Sequence, residues 1–231
     1  MKTVDDILRA ETPGLAFADI GGLWGTVNEK VTVAAKAGAA SVTMVDITPL
    51  NHEIWQAFRD RCAEQQVSGV REVSGNIEDE AFADALGGFD ITYCSGVIYH
   101  APNPYRMLDC LRRITRKTLV LGSMTAPERI ENQEGRLDFG GGKMLSIPAA
   151  SDAERRILTA HFNELGLEIH NINRAGVYPW MLRRGEFNFE PWWWLWTPET
   201  LGRMAEACGF RPRETIEMWE NRAHAVVLDC V

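Results

Sequence analysis

Between Leu15 and Leu121, short apolar runs alternate with longer segments whose apolar residues recur every three to four positions. The short runs have the length and β-branched content of strands and the longer ones have a helical period, so the alternation predicts βα units on a parallel sheet. Strands are expected near residues 15–20, 41–46, 69–73, 89–94 and 117–122, and helices near 26–37, 50–65, 78–86 and 104–115. The last of these helices is the best specified. Asn103 suits the N-cap, Pro104 occupies a first helical position where its missing N–H costs nothing, and Met107, Leu108, Leu111 and Ile114 form one apolar stripe to face the sheet.

Residues 123–196 interrupt the alternation with three consecutive glycines (Gly140, Gly141, Gly142), a helix expected over about 151–165, and the aromatic-rich run EPWWWLW. This stretch reads as an inserted substrate-cap region within a single domain spanning residues 1–231. Thr197 then caps a helix from Pro198 whose apolar face is Leu201, Met204, Ala205 and Cys208, with Gly209 placed to end it. The segments RPRETIEMW and AHAVVLDC, separated by the turn-like ENR, predict a terminal antiparallel hairpin.

Composition narrows the class. At 45% apolar and 24% charged residues the chain is that of an ordinary globular protein, with no apolar stretch long enough for a membrane span. The opening MKTVDDILRAETPG carries acids early and lacks the apolar centre of a signal peptide, so it reads as a short surface helix of a cytoplasmic protein. The five cysteines are odd in number, contain no C-x-x-C pair and sit mostly among apolar neighbours, as reduced packed thiols do. A net charge of −8 opposes binding to a polyanion, which requires clustered Lys and Arg. The basic groups present, Arg112, Arg113, Arg116 and Lys117, then Arg183 and Arg184, read as solvated helix ends or surface loops. A monomer and a homodimer are both compatible with this composition.

Candidate chemistry gathers at the expected strand ends. The first strand ends in ADIGGLWG, where glycines let backbone approach a ligand beyond the carboxyl end of the sheet. Its G-G-x-x-G spacing departs from the G-x-G-x-x-G fingerprint of dinucleotide sites, and no Tyr-x-x-x-Lys pair is present, which disfavours an NAD-dependent oxidoreductase. Asp46 closes the second strand, where a carboxylate can accept both hydroxyls of a ribose, whether of NAD or of another nucleoside cofactor.

In this order the motifs resemble those of the class I S-adenosylmethionine (SAM) dependent methyltransferases. ADIGGLWG is similar to the family's DxGxGxG loop at Asp19, Gly21 and Gly25, with Leu23 where a middle glycine is common; Gly22 and Trp24 lie in the same loop. VDITP resembles the acidic ribose motif through Asp46 and Ile47. SGNIED resembles the loop after the third strand and implies that Asn76 and Ile77 lie beside adenine, although the family more often has Asp at the Asn76 position. FDITYCSGVIYHAPNP resembles the fourth-strand motif, bringing Ser95 and Gly96 to the cofactor. Its GVIYH segment is similar to the GVLYH of a subgroup that includes tRNA wobble-uridine carboxymethyltransferases. The resemblance implies a doubly wound, Rossmann-like α/β sheet of seven strands, mostly parallel with an antiparallel last strand, and SAM as cofactor.

SAM carries its own leaving group, so the protein mainly has to position the acceptor for in-line displacement. His100 is the candidate base for a hydroxyl or protonated amine, because its intrinsic pKa lies near neutrality; the alternative is that Tyr99 and His100 only shape the pocket. His161 and His170 stand nine residues apart, which is no metal-ligand spacing, and no metal is expected. His52 and His224 read as surface or sheet residues. Trp180, Trp192, Trp193, Trp194 and Trp196, with Tyr178 and Phe187, either wall an acceptor pocket or pack the insertion. Trp24 either covers the cofactor or joins the core. The leading expectation is methyl transfer to a small-molecule acceptor, the alternative a tRNA- or RNA-modifying transferase using SAM or carboxy-SAM.

Overall fold

The computed structural model describes residues 2–24, 28–169, 172 and 191–231. The alternation becomes β1 (Ala16–Ile20), α2 (Val31–Lys36), β2 (Ser41–Asp46), α3 (Glu53–Glu64), β3 (Arg71–Ser74), α4 (Glu80–Leu86), β4 (Phe89–Ser95), α5 (Pro104–Ile114) and β5 (Thr115–Met124), preceded by α1 (Val4–Glu11). The hairpin is β10 (Phe210–Met218) and β11 (Ala223–Cys230), and the helix before it is α7 (Pro198–Glu206). Seven strands form one sheet in the order β3-β2-β1-β4-β5-β11-β10. All pairs from β3 to β5 are parallel, and β11 runs antiparallel to both β5 and β10. This is the doubly wound, mostly parallel architecture that the motifs imply.

Alternation along the strands feeds two cores. Leu119 and Leu121 of β5 join the layer under α4, α5 and α7, while Val120 between them joins the layer under α1, α2 and α3. The inner parallel strands β1, β2, β4 and β5 are largely buried on both faces, as strands covered by crossover helices must be, while β3 at the sheet edge is only half-buried. The α5 start follows its sequence: Asn103 Oδ1 accepts the Arg106 N–H at 3.1 Å, and Met107, Leu108, Leu111 and Ile114 are buried.

Two helices begin later than their apolar period suggests, each where the preceding residue's side chain takes a leading backbone N–H. Asp79 Oδ1 accepts from Ala81 and Phe82, so α4 starts at Glu80, and His52 Nδ1 accepts from Ile54, so α3 starts at Glu53. The Lys30 N–H goes to Asp19, and α2 is described from Val31.

Within 123–196 the expected helix is α6 (Asp152–Glu164), opened by a reciprocal Ser151–Glu154 capping box. Two small sheets accompany it, pairing β6 (Arg129–Asn132) with β7 (Gly135–Asp138), and β8 (Met144–Ser146) with β9 (Trp194–Trp196). All five cysteines are free, with Cys62, Cys94 and Cys110 buried. Among the described residues no helix is long and apolar enough to cross a membrane.

Candidate active site

The carboxyl ends of β1, β2 and β4, together with the loop after β3, surround a cavity of about 520 Å³. It lies at the switch point where β1 sends its two neighbours, β2 and β4, in opposite directions along the sheet.

Gly21 turns the chain out of β1 at φ +79°, its N–H donating to Val45 O at 2.7 Å; a Cβ there would overlap the Val97 side chain. At Gly22 a Cβ would stand 2.6 Å from the Asp19 carboxylate, so the second glycine lets the loop cross directly over that group. Asp19 has no exposed surface. Its Oδ2 accepts the Lys30 N–H at 2.8 Å, while Oδ1 has no partner. Burial pushes this carboxyl up to about 7, opposed by the Lys30 N–H and reinforced by the nearby Glu29 and Asp46 charges.

Asp46 ends β2 with one oxygen accepting the Thr48 N–H at 2.9 Å and no protein hydrogen bond to the other among the described residues. After β3, Asn76 Oδ1 accepts the Glu78 N–H at 3.0 Å in a local turn, which fixes the amide and leaves one lone pair of the oxygen and the NH₂ for a ligand. After β4 the chain makes a 3₁₀ turn over Ile98–His100. His100 Nδ1 lies 3.0 Å from Pro191 O, and burial holds the imidazole below its ordinary pKa. Tyr99 is buried with its ring 4.3 Å from that of His100 and 4.9 Å from that of Trp192, and burial drives its hydroxyl far above the usual phenol range.

Of the residues singled out in sequence, Gly21, Trp24, Asp46, Ile47, Asn76, Ile77, Gly96 and His100 line the cavity. Asp19, Gly22, Ser95 and Tyr99 stand off its wall: Asp19 and Gly22 support the loop from beneath, Ser95 packs against Gly122, and Tyr99 backs His100. Gly25 lies outside the described residues, as do His170, Tyr178, Trp180, Arg183, Arg184 and Phe187. The cavity adds Glu78, Val97, Ala101 and Met107. Glu78 is the chemically distinctive one, its carboxyl raised by burial and only partly relieved by Arg106. The signal for it was its place in SGNIED, two residues after Asn76.

Trp192, Trp194 and Trp196 do not reach this cavity. They fasten the 191–196 segment instead: Trp193 N–H donates to Tyr99 O at 2.8 Å, Trp194 Nε1 to Pro102 O at 3.3 Å, and Trp196 Nε1 to Ser123 Oγ at 3.0 Å. A second, larger hollow of about 850 Å³ lies between α6, α7 and the β10–β11 hairpin and shares no residue with the first. His161 and His224 border it, whereas His52 caps α3. We assign the chemistry to the smaller cavity, because it alone collects the strand ends. Among the described residues no group of three His, Cys, Asp or Glu side chains is placed to hold a metal ion.

Residues 19–120 match the family model described as a methyltransferase domain. The match opens on Asp19 and takes in every residue that lines the smaller cavity. This segment is a methyltransferase domain. No curated protein matches the chain. Among solved structures, the magnesium protoporphyrin IX methyltransferase of Synechocystis PCC 6803 with bound SAH has TM-score 0.56 at 14% identity, over 97% of this chain and 78% of that one. The 1,6-didemethyltoxoflavin-N1-methyltransferase of Burkholderia thailandensis has TM-score 0.55 at 15% identity, over 98% and 76%. The pyocyanin biosynthetic protein PhzM has TM-score 0.56 at 16% identity, over 98% of this chain but 54% of its own, so the chain spans about half that protein's length. At these identities the likeness is one of fold. The matched residues end within β5, and the final hairpin beyond them completes the same seven-stranded sheet.

Proposed function

We propose that the protein binds SAM in the smaller cavity and transfers its methyl group to a small-molecule acceptor. When bound, SAM supplies a methyl on a sulfonium, an electrophile ready for in-line displacement. The observation that carries this reading is Asp46: a carboxylate at the carboxyl end of β2, on the wall of a 520 Å³ cavity, with one oxygen fixed by Thr48 and the other unspent, as a ribose diol requires.

The surrounding residues fit the rest of such a cofactor. Gly21 and Gly22 give close backbone approach, and Ser95 ends the facing strand with Gly96 just beyond it. Asn76 and Ile77 stand at the adenine position. The second lone pair of the Asn76 oxygen and the Glu78 carboxyl are the acceptors for an exocyclic amine there. Trp24 covers the mouth. The unpartnered Asp19 oxygen lies beneath the loop where a cofactor's positive charge would favour its ionised form.

The net charge of −8 supports a small acceptor over a polyanion, and the 123–196 region, fastened beside His100, is assigned as its cap. Within the wider family the GVIYH segment supports placement near the GVLYH-containing enzymes. We read the protein as cytoplasmic, acting as monomer or homodimer. Calorimetric titration with S-adenosylhomocysteine (SAH), with NAD as control, tests the cofactor assignment. Micromolar binding of SAH alone is expected; preference for NAD, or binding of neither, overturns it.

A further inference from the structure

We propose that His100 is the general base of the transfer, held by the Pro191 carbonyl in the tautomer that leaves Nε2 as the base, and that the acceptor atom is an acidic O–H or N–H. The inference rests on the cofactor reading above and adds the nature of the acceptor.

A carbonyl oxygen only accepts, so the 3.0 Å contact from His100 Nδ1 to Pro191 O places the ring's proton on Nδ1. The lone pair of the neutral ring is then on Nε2. That nitrogen has no hydrogen bond among the described residues, and His100 lines the cavity. The geometry is anchored from both sides. Trp193 N–H donates to Tyr99 O at 2.8 Å, so segments 99–100 and 191–193 are joined at two adjacent points. The Tyr99 ring lies tilted against the imidazole, Trp192 packs tilted against Tyr99, and Phe162 of α6 backs Trp192 at 5.6 Å. The Pro191 oxygen is thereby fixed with respect to the ring.

The partner's chemistry sets the strength of the base. Catalytic histidines that must abstract a poorly acidic proton are commonly backed by a carboxylate, which stabilises the imidazolium as it forms. Here the backing group is a neutral carbonyl, Tyr99 is un-ionised, and among the described residues no charged side chain pairs with the ring; the cavity's carboxylates, Asp46 and Glu78, belong to other elements. Burial further disfavours the imidazolium, so the ring is neutral and ready at pH 7 but weakly basic. A weak base matches an acceptor whose proton is itself acidic, a phenol or enol oxygen or an azole nitrogen, rather than an aliphatic alcohol. In the step, the acceptor proton passes to Nε2 and the acceptor lone pair forms the new bond to the methyl carbon. The electron pair of the broken carbon–sulfur bond stays on sulfur, giving SAH, and the imidazolium then loses its proton to solvent.

The test uses ¹⁵N-histidine-labelled protein saturated with SAH. Long-range ¹H–¹⁵N spectra report the tautomer of each imidazole, and the His100 signals are those missing from His100→Gln. The expected pattern is neutral Nδ1–H at pH 7, protonating below 6.5. A neutral Nε2–H ring, or an imidazolium at pH 7, overturns the inference. In a second arm, methyl-labelled SAM is offered with a panel of phenols, azoles, aliphatic alcohols and tertiary amines. Label on phenols or azoles, lost by about a hundredfold or more in His100→Asn while SAH affinity stays within about threefold, supports it. Label confined to alcohols or proton-free amines, or transfer unchanged in His100→Asn, overturns it. If SAH does not bind at all, the cofactor reading has failed; if it binds and the ring carries its proton on Nε2, only this inference falls.

Discussion

The carboxylate of Asp19, without exposed surface at the end of β1, accepts the backbone N–H of Lys30 at 2.8 Å and so ties the strand to the start of α2. The same bond reaches from the strand before the glycine loop to the residue before the helix that follows it. It also leaves an acidic group where water cannot solvate its charge.

That burial predicts a pH-dependent stability. The carboxyl rises from 3.8 to about 7 on folding, so between those values the folded state binds more protons than the unfolded. Stability therefore falls as pH rises through this window, by at most about 4 kcal/mol. Asp19→Asn keeps an oxygen for Lys30 and removes the charge. In urea melts without cofactor, the Asn variant is expected to be the more stable protein at pH 8, with its advantage shrinking toward pH 5. Parallel pH profiles for the two proteins would show that Asp19 does not titrate.

Gly21→Ala is predicted to lose stability and cofactor affinity together. The residue sits at φ +79°, and the added methyl meets Val97. The left-handed backbone alone is worth roughly 1–2 kcal/mol. Adding Val97→Ala should recover the overlap part and not the backbone part. Denaturant melts of the single and double variants separate the two, and full recovery in the double variant would exclude backbone strain.

Trp24→Ala is predicted to act on binding alone. Its side chain is 73% exposed at the cavity mouth, so removal should leave stability within about 0.5 kcal/mol. SAH affinity should drop by about tenfold, the loss of roughly 1.4 kcal/mol of ring contact. Quenching or a blue shift of tryptophan emission on SAH addition, absent in the variant, checks the contact. Unchanged affinity would mean that the ring does not cover the cofactor.

The sheet was legible because each strand carries its own apolar run and each helix its own period, with Asn103 and Thr197 marking helix starts locally. The small strands β8 and β9 were not, since three residues hold too little pattern and their partners lie far apart in sequence. The same distance hid the function of EPWWWLW: its tryptophans bond to Pro102 and Ser123, which no local spacing reveals. At the site, glycines and acids at strand ends were readable by position, and eight of the residues singled out do line the cavity. Glu78 was not legible, because it stands in the same motif as Asn76 and its turn toward the cavity is visible only in three dimensions. Pro191 carried no signal, because the group that matters is a backbone carbonyl and its partner is 91 residues earlier.

The placement of β11 sets the order in which the sheet is finished during synthesis. β10 pairs with no strand of this sheet except β11, and β11 also fills the free edge of β5. As the chain leaves the ribosome, the earlier five strands have local partners, while β10 emerges as an orphan and the outer edge of β5 stays open. β11 closes both at once, so until it is in place β10 and the outer edge of β5 have no partner in this sheet, and unpaired edges are where chains associate with one another.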